Sequence, residues 1–250
     1  MKISVITVTY NSASTIVDTL KSVVSQTHAD IEHLIIDGGS KDDTLALIAA
    51  QGTRARVVSE PDRGIYDAMN KGLRMATGDI VGFLNSDDVY ASPEVLASIA
   101  HAAEQRRADA VFGDLVYINP SRPKPLVRYW RAGKFTMRGL KLGWMPPHPT
   151  LYVRRRIMQE VGPFDADLRV AADYEFILRL LKRPGLRIAY VPRVLVHMRV
   201  GGASNKSVPA MLTKSREDLG ALRRHRVGGI ATLIFKNLRK LPQFVRRPRA

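Results

Sequence analysis

The feature that most restricts this chain is the regular exchange of two hydrophobic periods over its first 84 residues. Residues 2–9 form a run rich in β-branched side chains, the pattern of a strand buried on both faces. Residues 14–26 then carry Ile16, Leu20, Val23 and Val24 at helical spacing. Strand patterns return at residues 31–36, 56–59 and 80–84. Between them lie helical patterns at residues 42–50, with Ser40 or Asp42 as the cap, and at residues 65–76, with Gly78 as the stop. Repeated β-α-β units predict an α/β fold with a mostly parallel sheet and helices on both faces.

Beyond residue 88 the alternation loosens. Residues 93–106 read as a helix and 110–118 as a strand. Residues 119–149 are rich in Pro, Gly, Arg and aromatics and read as one long functional loop region. Helical patterns follow at 154–161 and 174–182, and strand patterns at 187–191 and 195–200. The 250 residues are 45% hydrophobic, enough for one large domain with a core of its own. There is no Cys, so disulfides and thiolate metal sites are excluded. Any metal has to be held by carboxylates, imidazoles, carbonyls or water. The opening segment is too short and too polar for a signal peptide, and no stretch reaches the length of a membrane span. The expected location is the cytoplasm, or the inner face of the cytoplasmic membrane for a peripheral protein.

The formal net charge is +16. Residues 206–250 hold 12 Lys/Arg against two acidic residues, so this segment is the more basic part. Ile230, Leu233, Ile234, Leu238 and Leu241 are spaced as one face of a helix within it. A basic amphipathic tail of this kind fits an anionic membrane surface; packing on the rest of the chain and dimerisation are the other readings. No nucleic-acid partner is expected.

In an open parallel α/β sheet, ligands bind at the carboxyl ends of the strands. The four strand ends here read Thr9-Tyr10-Asn11-Ser12, then Asp37-Gly38-Gly39-Ser40, then Glu60-Pro61-Asp62-Arg63-Gly64, then Asn85-Ser86-Asp87-Asp88. All four are polar or acidic, so they converge on one site. The glycine fingerprints of dinucleotide-binding and P-loop proteins are absent. Asp37 stands where a carboxylate accepts from a ribose hydroxyl or a base N–H. Adjacent Asp87 and Asp88 repel each other, which points to a hard divalent cation shared with a diphosphate.

Taken in order, these motifs resemble family 2 glycosyltransferases with the GT-A fold, over roughly residues 2–205. The stretch from Glu60 through Tyr66 to Gly72 is similar to a branch that builds bacterial surface polysaccharides of the colanic-acid type. The resemblance implies a glycosyltransferase domain over 1–205, with a nucleotide-binding half (1–90) and an acceptor-binding half (91–205), followed by the tail at 206–250. It implies an inverting transfer from a nucleotide sugar, UDP-linked by preference, to a glycan or lipid-linked acceptor, assisted by Mg2+ or Mn2+. Thr9, Asn11, Asp37, Asp62, Arg63 and Asp87 would line the donor pocket. Asp88, with Asp87 and His197, would hold the metal. Asp173, in Ala171-Ala172-Asp173-Tyr174-Glu175, matches the catalytic base, although Ala172 stands where many relatives have Glu. Helix capping is the other reading of Asp173. The resemblance also draws attention to His148 near the acceptor, and Arg199 and Lys206 are candidate diphosphate contacts. Trp130 and Trp144 fit either sugar stacking or packing.

Overall fold

The structure is a computed structural model that describes residues 1–122, 125–200, 208–245 and 247–248; Lys206 lies outside the described residues. Strand β1 (Ile3–Thr9) is buried along all seven residues and pairs in parallel with β2 (Ile31–Asp37) on one side and β4 (Ile80–Phe83) on the other. Strand β3 (Arg56–Ser59) extends the sheet beyond β2, again in parallel. The β-branched residues of β1 feed two different cores, as strand alternation requires. Ile3 and Val5 face one hydrophobic cluster, and Ile6 and Val8 face another.

Helix α1 (Ile16–Val24) and α2 (Thr44–Ala50) close over Ile35 through Ile16, Leu20 and Ile48. On the opposite face α3 (Ile65–Met75) packs Met69 with Ile6, Leu34 and Ile36. Gly72 is required there, because a Cβ would sit 2.5 Å from the Ile6 side chain. Helices therefore cover both faces, as the sequence pattern implies.

The second half is mixed. Strand β6 (Ala110–Ile118) runs antiparallel to the short β8 (Tyr152–Arg154), which also bridges antiparallel to β4. Strand β9 (Ile188–Arg199) is parallel to β6 and antiparallel to β5 (Val89–Tyr90), while β7 (Leu126–Trp130) is antiparallel to β6. The sheet order is β3-β2-β1-β4-β8-β6-β9-β5, with β7 off this path on β6. Helix α4 (Val95–Gln105) lies on the Ile3 face, and α6 (Arg155–Val161) and α7 (Ala172–Leu181) lie on the Ile6 face.

Several boundaries differ from the sequence expectation for physical reasons. Residues 119–149 are not one loop. They hold β7, the short helix α5 (Met137–Lys141), capped by Thr136 Oγ1 accepting from Gly139 N at 2.9 Å, and part of a 3-10 turn at His148–Thr150. The two strand patterns at 187–200 are one strand. Its partner register jumps from Val191 to Val194 where Pro192 and Arg193 bulge out, since proline cannot donate to the ladder. Gly78 does not end α3, which stops at Ala76 in extended conformation. Gly78 instead lets the chain approach β1, where a Cβ would lie 2.6 Å from Ser4 N.

The C-terminal segment forms α8 (Val208–Arg224) and α9 (Ile230–Leu238). Ala221, Leu222 and Val227 join the core that α7 lines. Lys236 and Asp218 form an ion pair at 2.7 Å, with both side chains at most 7% exposed, and Lys236 Nζ stands 3.4 Å above the Tyr174 ring. Thr232 Oγ1 donates to the Lys141 carbonyl at 2.9 Å. Of the apolar stripe, only Leu233 packs on the core; Ile230, Ile234, Leu238 and Leu241 are exposed.

Candidate active site

Parallel register lines up the strand ends. Thr9 stands opposite Asp37, and Asp37 opposite Ser59. Chain geometry then brings the following loops together. Asn11 adopts a left-handed conformation (φ 48°), accepts from Lys41 N at 2.8 Å and donates its own N–H to Ser40 Oγ at 2.8 Å. Asn tolerates this region better than other non-glycine residues. Thr9 is buried and its hydroxyl has no partner.

Asp37 is wholly buried and its carboxylate is saturated. Oδ2 accepts from Gly39 N at 3.0 Å, Ser40 N at 2.9 Å and Ser59 Oγ at 2.7 Å, while Ser40 Oγ bonds Oδ1. Burial pushes its pKa up, but these donors outweigh it and hold the carboxyl below its ordinary value. These bonds shape the loop after β2. Asp62 does come forward: its Oδ2 would lie 2.5 Å from a Cβ on Gly38, so the absence of a side chain at Gly38 admits it. Asp62 Oδ1 also accepts from Gly64 N at 2.8 Å. Arg63 is exposed and within 3.7 Å of Asp67.

In the tetrapeptide after β4, Ser86 and Asp88 are buried and Asn85 and Asp87 half-buried. Asp88 is 0% exposed and its Oδ1 has no partner; its Oδ2 lies 3.4 Å from Asn85 Nδ2. The Asn85 side-chain oxygen is likewise buried and unpartnered. Burial first, then the charge of Asp87, raise the Asp88 carboxyl well above the ordinary range, against a smaller lowering by Arg199 and Asn85. A carboxylate this desolvated needs a cation or a proton. Two buried oxygens without donors suit a hard cation.

His197 stands opposite Val89 in the β5–β9 ladder, one residue from Asp88, and burial lowers its pKa, which keeps the imidazole neutral. Among the described residues, however, no three His, Asp or Glu side chains gather into a metal cluster. Asp88, Asp87 and His197 are therefore not a preformed three-ligand set. Arg199 Nη2 pairs with Asp18, and its Nε is buried without a partner.

Asp173 lies in the first turn of α7. Its Oδ1 accepts from Tyr174 N at 2.8 Å and lies 3.2 Å from the Tyr66 hydroxyl, whose one proton is shared with the nearer Val170 carbonyl at 2.8 Å. Burial, then the charge of Asp173, push the Tyr66 hydroxyl pKa up, so it stays a donor. Ala171, not Asp173, is the residue at the helix cap position, and it makes no side-chain cap. Burial pushes the pKa of the Tyr117 hydroxyl on β6 up; Arg128 opposes this, and the charges of Asp88 and Asp173 add to it. His148 stacks on Phe83 at 5.6 Å and meets Phe164 edge-on; burial lowers its pKa, partly countered by Asp173. Trp144 is buried, donates to the Ala132 carbonyl at 2.6 Å and packs edge-on against Phe112, so it is a core residue and not a sugar platform. Trp130 is half-buried beside Arg128.

Comparison with known proteins decides the family. The profile described as Glycosyl transferase family 2 matches residues 4–162. The chain belongs to this family. The protein is a glycosyltransferase with a GT-A fold. It is 33% identical over 211 residues to the PGL/p-HBAD biosynthesis glycosyltransferase of Mycobacterium bovis, covering 82% of this chain and 80% of the relative. Its fold matches S. aureus TarS 1–349 in complex with UDP-GlcNAc at a TM-score of 0.71, with 22% identity over 91% of this chain; the match spans 66% of that TarS chain. The mannosyltransferase PcManGT from Pyrobaculum calidifontis, in complex with GDP-Man and Mn2+, matches at 0.68 with 19% identity, covering 98% and 73% of the two chains.

Two side chains near these candidate residues escape a reading by motif alone. Tyr10 is 61% exposed beside Gly38 and Asp62, an aromatic face left open where the first two strands end. Its signal is an aromatic following a buried strand. Tyr66 reaches Asp173 across 107 positions, and nothing local in the sequence announces that contact.

Proposed function

We propose that this glycosyltransferase moves a sugar from a nucleotide-sugar donor, UDP-linked by preference, to a hydroxyl of a lipid-linked or polysaccharide acceptor in cell-surface glycan synthesis. The observation that carries the reading is Asp88, a fully buried carboxylate with an unpartnered oxygen at the head of four polar strand ends. The donors present in the TarS and PcManGT complexes, and the Mn2+ in the latter, support a nucleotide sugar and a divalent cation here. A Mg2+ or Mn2+ ion held by Asp88 and Asn85 would offset charge on the departing nucleoside diphosphate.

The chain's own residues take the remaining roles. Tyr10 offers a stacking face for the base, with Asp62 and Arg63 beside it and Thr9 and Asn11 shaping the floor. Asp87 stands at the donor sugar. Asp173 takes the proton of the acceptor hydroxyl as the new bond forms, with the Tyr66 hydroxyl 3.2 Å from its Oδ1. Attack from the side opposite the diphosphate inverts the anomeric carbon, so an α-linked donor gives a β-linked product.

Attachment to an anionic membrane through the C-terminal segment completes the proposal. Helix α9 is turned inside out: Thr232 and Lys236 face the protein, whereas Ile230, Ile234, Phe235 and Leu238 are 45–59% exposed. Leu241, Phe244 and Val245 continue the exposed apolar surface beside Arg239, Lys240 and Arg247. An apolar face rimmed by cations fits a lipid interface, and a second copy of a chain with net charge +16 would be repelled. No helix among the described residues is long and apolar enough to cross a membrane.

The test is a thermal-shift screen of UDP-, GDP- and dTDP-sugars with Mn2+ and Mg2+, followed by turnover of the stabilising donor. EDTA is expected to abolish turnover, and Asp173→Asn to remove it while leaving the donor-induced shift intact. Full activity in both cases overturns the mechanism.

A further inference from the structure

The segment from α8 onward lies beyond the family match, which ends at residue 162, yet it reaches the turn that presents Asp173. Glu217, on α8, accepts three successive backbone N–H groups with its carboxylate: Arg169 N at 3.0 Å on Oε1, and Val170 N and Ala171 N, each at 2.9 Å, on Oε2. Three consecutive amides converging on one anion form a nest, and bonds to a charged acceptor are about twice as strong as neutral ones. These amides immediately precede the first turn of α7.

The bonds of this turn form a closed circuit. The single Tyr66 hydroxyl proton is shared between the Val170 carbonyl at 2.8 Å and, more weakly, Asp173 Oδ1 at 3.2 Å. The Val170 peptide is thus gripped on its N–H side by Glu217 and on its carbonyl side by Tyr66. Asp173 Oδ1 is pinned in turn by Tyr66 and by Tyr174 N. The scaffold behind Glu217 is rigid: neighbouring Asp218 is locked to buried Lys236, Leu222 is fully buried in the shared core, and His225 Nε2 lies 2.7 Å from Glu175 Oε1 on α7. Nothing in the motif region supplies these bonds, and without them the residues before α7 leave three donors unsatisfied.

We infer that Glu217 is a positioning residue for Asp173, so that the C-terminal helices belong to the acceptor-side machinery and are not only an anchor. The inference rests on Asp173 being the base of the proposed reaction. Its test needs no substrate, so the two readings fail separately. In full-length protein, amide hydrogen exchange and the carboxyl-carbon NMR resonance of Asp173 are compared for wild type, Glu217→Ala and Glu217→Gln.

In Glu217→Ala, exchange at the amides of residues 169–171 and of Tyr174 is expected to quicken at least about tenfold, the scale of a lost charge-assisted bond of about 1.4 kcal/mol or more. Amides in the middle of α7 should keep their protection. The Asp173 resonance should move, and Glu217→Gln, which keeps an accepting oxygen, should bring both signals part of the way back. If Tyr174 exchange and the Asp173 resonance stay as in wild type while residues 169–171 lose protection, Glu217 caps a loop and the inference is wrong. Should Glu217→Ala fail to fold, Glu217→Gln decides alone: an unmoved Asp173 resonance and unchanged Tyr174 exchange overturn it, and an intermediate change supports it. An active Asp173→Asn would instead remove the base and leave the Glu217 geometry standing.

Discussion

Consider removal of one member of the Lys236–Asp218 pair. At 2.7 Å the gross attraction is about 6 kcal/mol with an effective dielectric of about 20. Desolvating each ion costs several kcal/mol, so the intact pair nets close to zero. Lys236 adds a desolvated cation–π contact with Tyr174, worth about 2 kcal/mol. Losing a single partner is a different matter, because the survivor stays buried and uncompensated. Asp218→Asn is expected to cost about 3–5 kcal/mol. Lys236→Met is expected to cost a similar amount, because Asp218 already has one oxygen without a hydrogen-bond partner. The double variant, with neither charge left, should recover most of the loss. The assay is urea unfolding of all four proteins in a double-mutant cycle, with Tm as a second readout at about 2–4 °C per kcal/mol for a chain of this size. Single variants within about 1 kcal/mol of wild type, adding without coupling, would refute the reasoning and show that α9 is not held to α8 by this pair.

Two further outcomes follow from the fold. Glu32 accepts from Ser4, Thr77 and Lys2; burial opposes ionisation, yet these donors bring its pKa from 4.5 down to about 2. Its contribution is therefore full above pH 4.5 and lost as pH falls through about 2, so the stability gap between wild type and Glu32→Gln, read by denaturation, should close over that window; a constant gap rules this out. Gly82→Ala drives a methyl into the ring of Tyr152, which is fully buried and tied to Tyr90 by its hydroxyl. A loss of about 1–3 kcal/mol in urea is expected, and no loss would mean that Tyr152 is free to move.

Much of the donor half was readable because the code there is local. Strand and helix periods in the first 84 residues reproduce β1 to β4 and α1 to α3 within a few positions, and the polar segments at the strand ends follow from parallel register. Other features depend on contacts distant in sequence. Strands β5 and β8 have two and three residues, too short for any period, and exist because β9, β4 and β6 offer edges. Residues 119–149 read as loop because Pro and Gly break the pattern, although Arg128 between Tyr117 and Trp130 stabilises β7 across strands. That Ser59 and Ser40 donate to Asp37 depends on the folded loops and is not visible in the sequence. The C-terminal stripe was visible as a helix, but not that its apolar side faces outward while Lys236 turns in.

Tyr66 gives the site a fixed length scale. Its backbone belongs to the turn that follows Asp62 and Gly64, and its hydroxyl ends on Val170 and Asp173. One rigid ring therefore spans from the turn after Gly64 to the Asp173 carboxylate. The spacing between these two segments is tied to the length of a phenol, and phenylalanine, one oxygen shorter, would leave that gauge without its far mark.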